Sequence, residues 1–418
     1  MAGILILGGS NCQINAILRA KQKGHTVIVS DYYENAPGKA FADYGELIST
    51  FDAEGNIETA RKYNIDGVMT LGTDQPVLTA ARIAEALGLP SFLDVDTARA
   101  VTNKKIMKGL FERHGIPTVK FRLLGEDFTD AHMEGMNFPV VVKPLDSQGQ
   151  RGVYKLDSTS GIRSSFADVL SFSREKEILL EEYYESDEIT LSGWVRQDQV
   201  HILTVTDRVT YNNYPHIGIC TAHNFPSKYL SRYFKEIDDI TKQIVKAFGI
   251  HNGPIYFQML IGEDGIKVNE IACRIGGAYE DELIPLLTGV DILDMVIAGS
   301  LGGEIDFSSM EGYNLSCCNR VASTRMLFTR PGVIGFTSDM NQIIRLPGVR
   351  YGKFNFNKGH YVDEITDATR RAGYMIVEGE DPDGLRRNIQ RAFNSLIICD
   401  ENGQDMKMFF QDSMMINS

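Results

Sequence analysis

GPIYFQMLIGEDGIKVNEIACRIGG, residues 253–277, reads as two apolar strands joined by a tight turn, with Gln258, Glu270 and Arg274 set into them. Apolar strands rarely carry such groups without a reason, because a buried polar group needs a partner. The connection Glu263-Asp264-Gly265 suits a hairpin in which the glycine takes the left-handed position beside a bulge. In that register Gln258 lies opposite Glu270, about 5 Å away on one face. Ala272 and Arg274 follow on that face by the two-residue alternation. An oxygen pair beside a guanidinium, on a rigid sheet, is one way to hold Mg²⁺ and a polyphosphate together. A hairpin with a surface salt bridge accounts for the same residues.

Upstream of the hairpin, YLSRYFKEIDDITKQIVKAFG (229–249) reads as a long helix. EILLEEYY (177–184) and EITLSGWV (188–195) read as strands broken by Glu185-Ser186-Asp187. FPVVVKPL (138–145) is a strand running into the loop DSQGQRG (146–152), with VYKL (153–156) after it. TNKKIMKGLFERHGIP (102–117) has the marks of a helix: Asn103 as N-cap, an Ile106, Leu110 and Phe111 stripe, and Gly115 and Pro117 to end it. Nearer the start, strands at 4–7, 25–31, 45–52 and 66–75 alternate with helices at 14–24, 57–64 and 77–88. That alternation predicts a parallel sheet with helices on both faces and right-handed crossovers. Beyond Tyr313 the pattern turns to strands and loops, ending in a strand and helix over 373–397. The expected class is α/β. A parallel, Rossmann-like domain spans 1–100, a two-lobed α+β core spans 101–195 and 196–310, and an α+β domain spans 311–418.

A chain of 418 residues is too long for one core. Its 43% hydrophobic and 23% charged content is ordinary for a globular protein. A net charge of −13 argues against nucleic acid or an anionic membrane as partner, since such binding runs on basic surface. It leaves room for a local basic pocket. No apolar run of about 18 residues is present, so no membrane span is expected. The GILILGG start lacks a basic leader and a cleavage site, so a cytoplasmic location is expected. The six cysteines are scattered, without zinc-ligand spacing, and reduced thiols are expected.

Several segments carry candidate chemistry. In Asp146–Gly152, two glycines and small polar residues let backbone N–H groups approach phosphates, with Lys143 as a point charge. There is no GK[ST], and a flexible hairpin loop is the plain alternative. Glu181-Glu182-Tyr183-Tyr184 closes a strand whose backbone edge could pair with an adenine, and Glu188 could take ribose hydroxyls. An acidic, solvated strand end reads equally well. Gly8-Gly9-Ser10-Asn11 breaks the dinucleotide pattern G-x-G-x-x-G, although Asp31 stands where a ribose-binding acid would sit. NADH binding is not expected. His223, in TAHNFPSKY, reads as a polar-loop residue able to line a site. The eight histidines have no metal-ligand spacing, and no G-x-S-x-G elbow or local cysteine-nucleophile signature occurs.

In order along the chain, these pieces resemble the ATP-grasp superfamily. TNKKIMKGLFERHGIP is similar to its entry helix, which implies that Lys104 contacts ATP phosphate. VVKPLDSQGQRGV resembles its phosphate loop, implying Lys143, Ser147 and Gly149. LLEEYY resembles its adenine hinge, implying Glu181, Glu182 and Tyr184, with Glu188 as the ribose carboxylate. The opening hairpin resembles its paired metal-ligand strands, implying Gln258 and Glu270 as ligands of Mg²⁺ or Mn²⁺ and Arg274 near the transferred phosphate. GYMIVEGEDPDGLRRNIQRA is similar to the C-terminal domain of several members. Two positions depart from the pattern. Gln258 stands where most members have Glu, and Glu270-Ile271-Ala272-Cys273-Arg274 replaces Glu-x-Asn-Pro-Arg. Alanine cannot ligate, so Glu280, Asp281 or Glu282 would have to compensate.

The form E-x-A-x-R-x-G-G also resembles the branch that ligates amino acids. The resemblance implies an ATP-dependent carboxylate–amine ligase acting through an acyl phosphate, with small-molecule carboxylate and amine substrates. Similar proteins imply a homodimer. Arg320 and Arg325 are candidates for a carboxylate or phosphate, and specificity is expected in Thr73–Gln75, Tyr211–His223 and the C-terminal domain. A purine-pathway or carbamoyl-phosphate-type enzyme using a phosphoribosyl amine or bicarbonate, and an ATP-binding protein without turnover, are the alternatives.

Overall fold

The computed structural model of the chain describes residues 1–410. It is an α/β structure that opens on a four-stranded parallel sheet ordered Tyr44–Glu46, Thr26–Ser30, Gly3–Leu7, Gly67–Met69. Helices Ile14–Gln22 and Ala53–Tyr63 connect its strands, and Pro76–Leu87 follows the last of them. The outer strands are shorter than their hydrophobic patterns suggest. The strand expected over 45–52 stops at Glu46, and Asp52 instead caps the next helix by accepting from the Gly55 N–H. The strand expected over 66–75 stops at Met69, which leaves Thr70–Gln75 as a loop at the sheet's carboxyl edge.

A second, antiparallel sheet carries the rest of the architecture. Its path runs Gly265–Ala272, Asn252–Gly262, Ser186–Arg196, Gln199–Asn213, His216–Phe225, Tyr154–Leu156, Val140–Pro144, Glu177–Glu182, Phe121–Gly125. A single pair, His216 with Tyr154, joins its two halves. From the other side, Val321–Thr329 pairs with His216–Phe225 and in turn with Gly373–Gly379, so the C-terminal strands extend the same sheet. The two long strands from Gln199 to Phe225 were not legible as strands, and TAHNFPSKY is strand rather than polar loop up to Phe225.

In the opening hairpin, Gln258 pairs with Glu270, and the ladder closes on Gly262 and Gly265, with Gly265 at φ +86°. The irregularity in register falls between Gln258 and Met259, beside the functional pair rather than at the turn. Helix Leu230–Phe248 covers the sheet with Ile237, Ile240, Ile244, Val245 and Phe248, all buried at helical spacing. Each such side chain contributes about 1.5–3 kcal/mol on burial, and Gly249, at φ +64°, ends the helix.

The helix expected over 102–117 with Asn103 as its cap is Lys104–Arg113, and a separate short helix precedes it. Val95–Thr102 ends at Asn103, whose side chain then caps Lys104–Arg113 by accepting from the Lys105 and Ile106 N–H groups. Ile106 is exposed, whereas Met107, Lys108 and Phe111 face inward. The inward face of this helix carries Lys108 rather than Ile106, and Lys108 is paired with Glu181 on strand Glu177–Glu182. All six cysteines are free. Among the described residues, no single helix is long and apolar enough to cross a membrane.

Candidate active site

The loop after Val140–Pro144 is fixed from several directions. Gly149 and Gly152 have φ +70° and +71°, which a side chain would strain. The Asp146 carboxylate accepts from the Ser173 hydroxyl at 2.6 Å. Lys104 donates to the Ser147 carbonyl at 2.9 Å, and the Gln75 N–H donates to Gln148 Oε1 at 3.1 Å. The Ala368 N–H donates to the Gly149 carbonyl at 3.0 Å. The loop is therefore tied to the N-terminal and C-terminal segments as well as to its own lobe. Ser147 Oγ is buried with no hydrogen-bond partner among the described residues.

This loop closes one side of a cleft of about 140 Å³ that Lys104, Lys143, Ser147, Gly149, Gln258, Glu270 and Arg274 all line. An adjoining cleft of about 240 Å³ is lined by Glu181, Glu182, Tyr184 and Glu188, and shares Lys143, Gln150, Val153 and Asn269 with the first. The residues singled out from the sequence thus fall on two connected spaces.

Within them, most charges are already paired. Lys104 lies 2.9 Å from Glu270, and the attraction of Glu270 and Asp74 outweighs burial to hold its ammonium above the usual range. Glu181 is fully buried, 2.5 Å from both Lys108 and Lys143. Burial opposes its charge, but the two ammonium groups win and hold the carboxyl down at about 2. That carboxylate is committed to the lysines, so it is not a side chain offered to an adenine. Glu182 accepts from the Asn137 N–H at 2.9 Å, and the Tyr184 hydroxyl donates to the Gly265 carbonyl at 2.9 Å. Glu188 is paired with Arg208.

The far wall is the opening hairpin. Gln258 Oε1 is buried and has no partner among the described residues, while Glu270 faces Lys104 across the cleft. Arg274 clasps Asp74 at 2.5 Å and lies over the Tyr256 ring at 4.4 Å. Ala272 is buried opposite Tyr256. The three acids after the hairpin do not make up for it. Glu280 accepts from the Ala278 N–H at 2.7 Å, Asp281 accepts from Asn15 at 2.9 Å, and Glu282 accepts from the Tyr374 hydroxyl at 2.6 Å. The last two turn toward the N- and C-terminal segments. Among the described residues, no group of three or more His, Cys, Asp or Glu side chains could hold a metal.

Sequence reading missed Lys108, Arg208 and Arg371, and it named Thr73–Gln75 for specificity without seeing that Asp74 pairs with Arg274. It placed His223 in a polar loop able to line a site, whereas the residue stands on a strand. His223 is buried, lines the first cleft, and lies 3.6 Å from Glu280 and 3.1 Å from the Thr206 hydroxyl. Burial, with Arg208 and Arg371 nearby, pushes its pKa well below the usual value. Arg320 is exposed and lies 3.7 Å from Glu378, and Arg325 donates to Asn224 at 3.2 Å inside the sheet. Neither lines either cleft.

Residues 136–282, which hold the loop, the Glu181–Tyr184 edge and the hairpin, match the ATP-grasp domain. Residues 325–398 match the L-amino acid ligase C-terminal domain 2. Dapdiamide A synthase of Enterobacter agglomerans is 22% identical over 372 residues, 83% of this chain and 85% of that protein. Phosphoribosylamine–glycine ligase of Pyrococcus furiosus is 25% identical over 341 residues, 74% of this chain and 75% of that one. The fold is similar to that of an L-amino acid ligase from Bacillus licheniformis, with a TM-score of 0.79 at 19% identity, covering 96% of this chain and 99% of the other. A phosphoribosylglycinamide synthetase from Anaerococcus prevotii gives 0.74 at 18% identity, with 96% and 99% covered. The loop, the lysine-bearing strand and the carboxylate hairpin all fall within the matched segment, so the chain carries an ATP-grasp domain followed by an L-amino acid ligase C-terminal domain, and its relatives support an ATP-dependent carbon–nitrogen ligase.

Proposed function

We propose that the protein joins a small carboxylate, an amino acid or similar acid, to an amine through an acyl phosphate, releasing ADP and phosphate. The observation that carries this is the convergence of Lys104, Lys143 and Arg274 with the loop 146–152 on one cleft, facing Gln258 and Glu270. In this reading the ATP phosphates lie against Lys104, Lys143, Ser147 and Gly149, and the adenosine occupies the adjoining cleft, with its ribose toward Glu188.

Gln258 Oε1 and Glu270 are oxygen donors suited to Mg²⁺ or Mn²⁺, because the amide oxygen is buried without a partner and a hard cation accepts such ligands alongside phosphate oxygens and water. When bound, that ion would neutralise phosphate charge. The protein's own residues do the rest. The substrate carboxylate oxygen attacks the γ-phosphorus. A P–O bond forms, the bond to ADP breaks, and Lys143 and Arg274 offset charge on the moving phosphoryl group. The amine nitrogen then attacks the acyl carbon, the C–O bond to phosphate breaks, and the amide remains after proton loss. The chemistry calls for positioning more than for a nucleophilic side chain.

ADP release from ATP with Mg²⁺ and mixed amino acids tests the proposal. Carboxylate-dependent ADP formation with an equal yield of amide is expected. ATP binding with no ADP from any carboxylate would overturn it.

A further inference from the structure

The phosphate cleft opens into a larger chamber of about 300 Å³, within the range of small-molecule sites. The two share Gly72, Gln148, Gly149, Arg151, Gly277 and Arg371, so the chamber begins where the transferred phosphoryl group would be. It is built from four distant parts of the chain: the carboxyl edge of the parallel sheet, the phosphate loop, Gly277 and Tyr279 after the hairpin, and the C-terminal segment around Asn355–Arg371.

Its chemistry is uneven. Tyr32, Tyr33, Tyr279 and Phe356 give it an aromatic lining, and Tyr32 and Tyr33 lie with ring centroids 4.0 Å apart and half or more of each side exposed. At the junction stands Arg371. Lys104, Lys143, Arg208 and Arg274 each have a carboxylate partner. Among the described residues Arg371 has none, nor has Arg151, which lines both spaces and whose Nε donates to the Gln148 carbonyl at 3.3 Å. Arg371 Nη1 donates to the Gly277 carbonyl at 2.9 Å, and its Nε is buried with no partner. A guanidinium held by one carbonyl, with an unmade N–H, is a fitting receiver for a carboxylate. The chamber's lining has one acid, Asp31. Its two oxygens each accept one backbone N–H, from Gly9 and Tyr33, both at 2.8 Å. A carboxylate has about four acceptor sites, so each oxygen keeps capacity for a further donor.

We infer that this chamber binds an α-amino acid with an aromatic or large apolar side chain, its carboxylate toward Arg371 and the phosphate cleft and its side chain among Tyr32, Tyr33 and Phe356. This rests on the ligase reading and narrows its substrate. A small amino acid would leave the aromatic lining uncovered.

The test is two-armed. ADP release is compared for phenylalanine, methionine and leucine against glycine, serine and aspartate. Phenylalanine binding is also measured by calorimetry on the full chain loaded with a non-hydrolysable ATP analogue. Large apolar amino acids should give the highest kcat/KM. Phe356→Ala and Tyr33→Ala should raise the KM or Kd for phenylalanine by about tenfold or more, a difference of about 1.4 kcal/mol, with the affinity for the ATP analogue unchanged. Arg371→Lys should weaken phenylalanine binding less than Arg371→Ala does. Turnover confined to small or acidic amino acids would overturn the inference and leave the ligase reading standing. Phenylalanine binding that is sensitive to Phe356→Ala, without ADP release from any acid, would uphold the chamber and overturn the ligase reading. Phenylalanine that neither binds nor reacts would overturn the inference.

Discussion

Replacing Glu181 with glutamine isolates the dependence of the cleft's lysines on one buried carboxylate. Glu181 is 2% exposed and Lys108 1% exposed, and Lys143 completes the triad. The Glu181 carboxyl is held at about 2 against an ordinary 4.5. At about 1.4 kcal/mol per pKa unit its ionised form is worth about 3 kcal/mol to the folded state. An upper limit comes from Lys108, which can shed its proton once the carboxylate is gone. An ordinary lysine costs about 4.6 kcal/mol to neutralise at pH 7. Lys108 costs less, because burial already holds its ammonium below the ordinary value. Glu181→Gln should therefore lose about 3–4 kcal/mol, within the range for breaking a buried pair from one side. Urea unfolding followed by circular dichroism would measure this in wild type, Glu181→Gln, Lys108→Met and the double variant. The double variant should regain most of the loss, since methionine fills lysine's space without a charge. Because the folded pKa is depressed, this stability is present above about pH 4.5 and disappears as pH falls through about 2. Glu181→Gln should flatten that acid limb. A loss under about 1 kcal/mol, or a double variant no more stable than Glu181→Gln, would refute the reasoning.

Three further perturbations follow from single contacts. Burial, then the charge of Glu282, pushes Asp281 up to about 7. Its contribution is therefore full below about pH 3.8 and falls as pH rises through about 7, so Asp281→Asn should raise the melting temperature at about pH 8. An unchanged or lower melting temperature there would contradict this. Gln258→Glu adds a charged oxygen opposite Glu270 and should tighten Mg²⁺ binding to the nucleotide-loaded protein by about tenfold, read by calorimetry; no change would remove Gln258 from the proposed metal site. A Cβ on Gly277 would stand 2.5 Å from the Gly72 carbonyl oxygen, so Gly277→Ala should cost about 1–3 kcal/mol, measured as a shift of the urea midpoint.

Local pattern carried the parallel sheet, the hairpin register and the order of the cleft's parts, because each is set by neighbours in sequence. Gln258 and Glu270 face each other by strand geometry alone. What stayed hidden is set by long-range contact. Lys108 sits where an apolar stripe points elsewhere, and only a carboxylate 73 positions later makes its burial tolerable. Asp74 reaches Arg274 across 200 positions. His223 and Arg208 lie on strands of mixed polar and apolar residues, covered by the C-terminal strands and the loop, so neither face shows the clean alternation of a half-exposed strand. Glu181 and Glu182 were visible as a pair, but their division between the lysines and Asn137 depended on strand pairing that one-dimensional pattern does not encode.

The paired state of the cleft constrains how a polyphosphate can enter it. Lys104 is engaged by Glu270, Lys143 by Glu181 and Asn269, Arg274 by Asp74, and Arg208 by Glu188. A triphosphate brought against these cations also meets their four carboxylates, and in a partly buried site like charges repel more strongly than in water. Two outcomes are open to a carboxylate so displaced: it can move to another cation, or it can bind one that arrives with the ligand. Glu181 has the first route, because Lys108 remains when Lys143 turns to phosphate. Glu270 lacks it, since Lys104 is the only cation the structure places within salt-bridge distance of it among the described residues. Glu270 therefore gains most from a divalent cation carried by the nucleotide, and the unpartnered Gln258 oxygen stands directly across the ladder from it. The neutral amide at 258 has a physical sense in this setting. On the proposed reading it would add a ligand without adding a fifth negative charge to a cleft that admits a polyanion. The cost falls on metal affinity and the gain on nucleotide entry, so Gln258→Glu should tighten Mg²⁺ while weakening metal-free ATP, a pair of opposite shifts that a purely structural role for Gln258 would not produce.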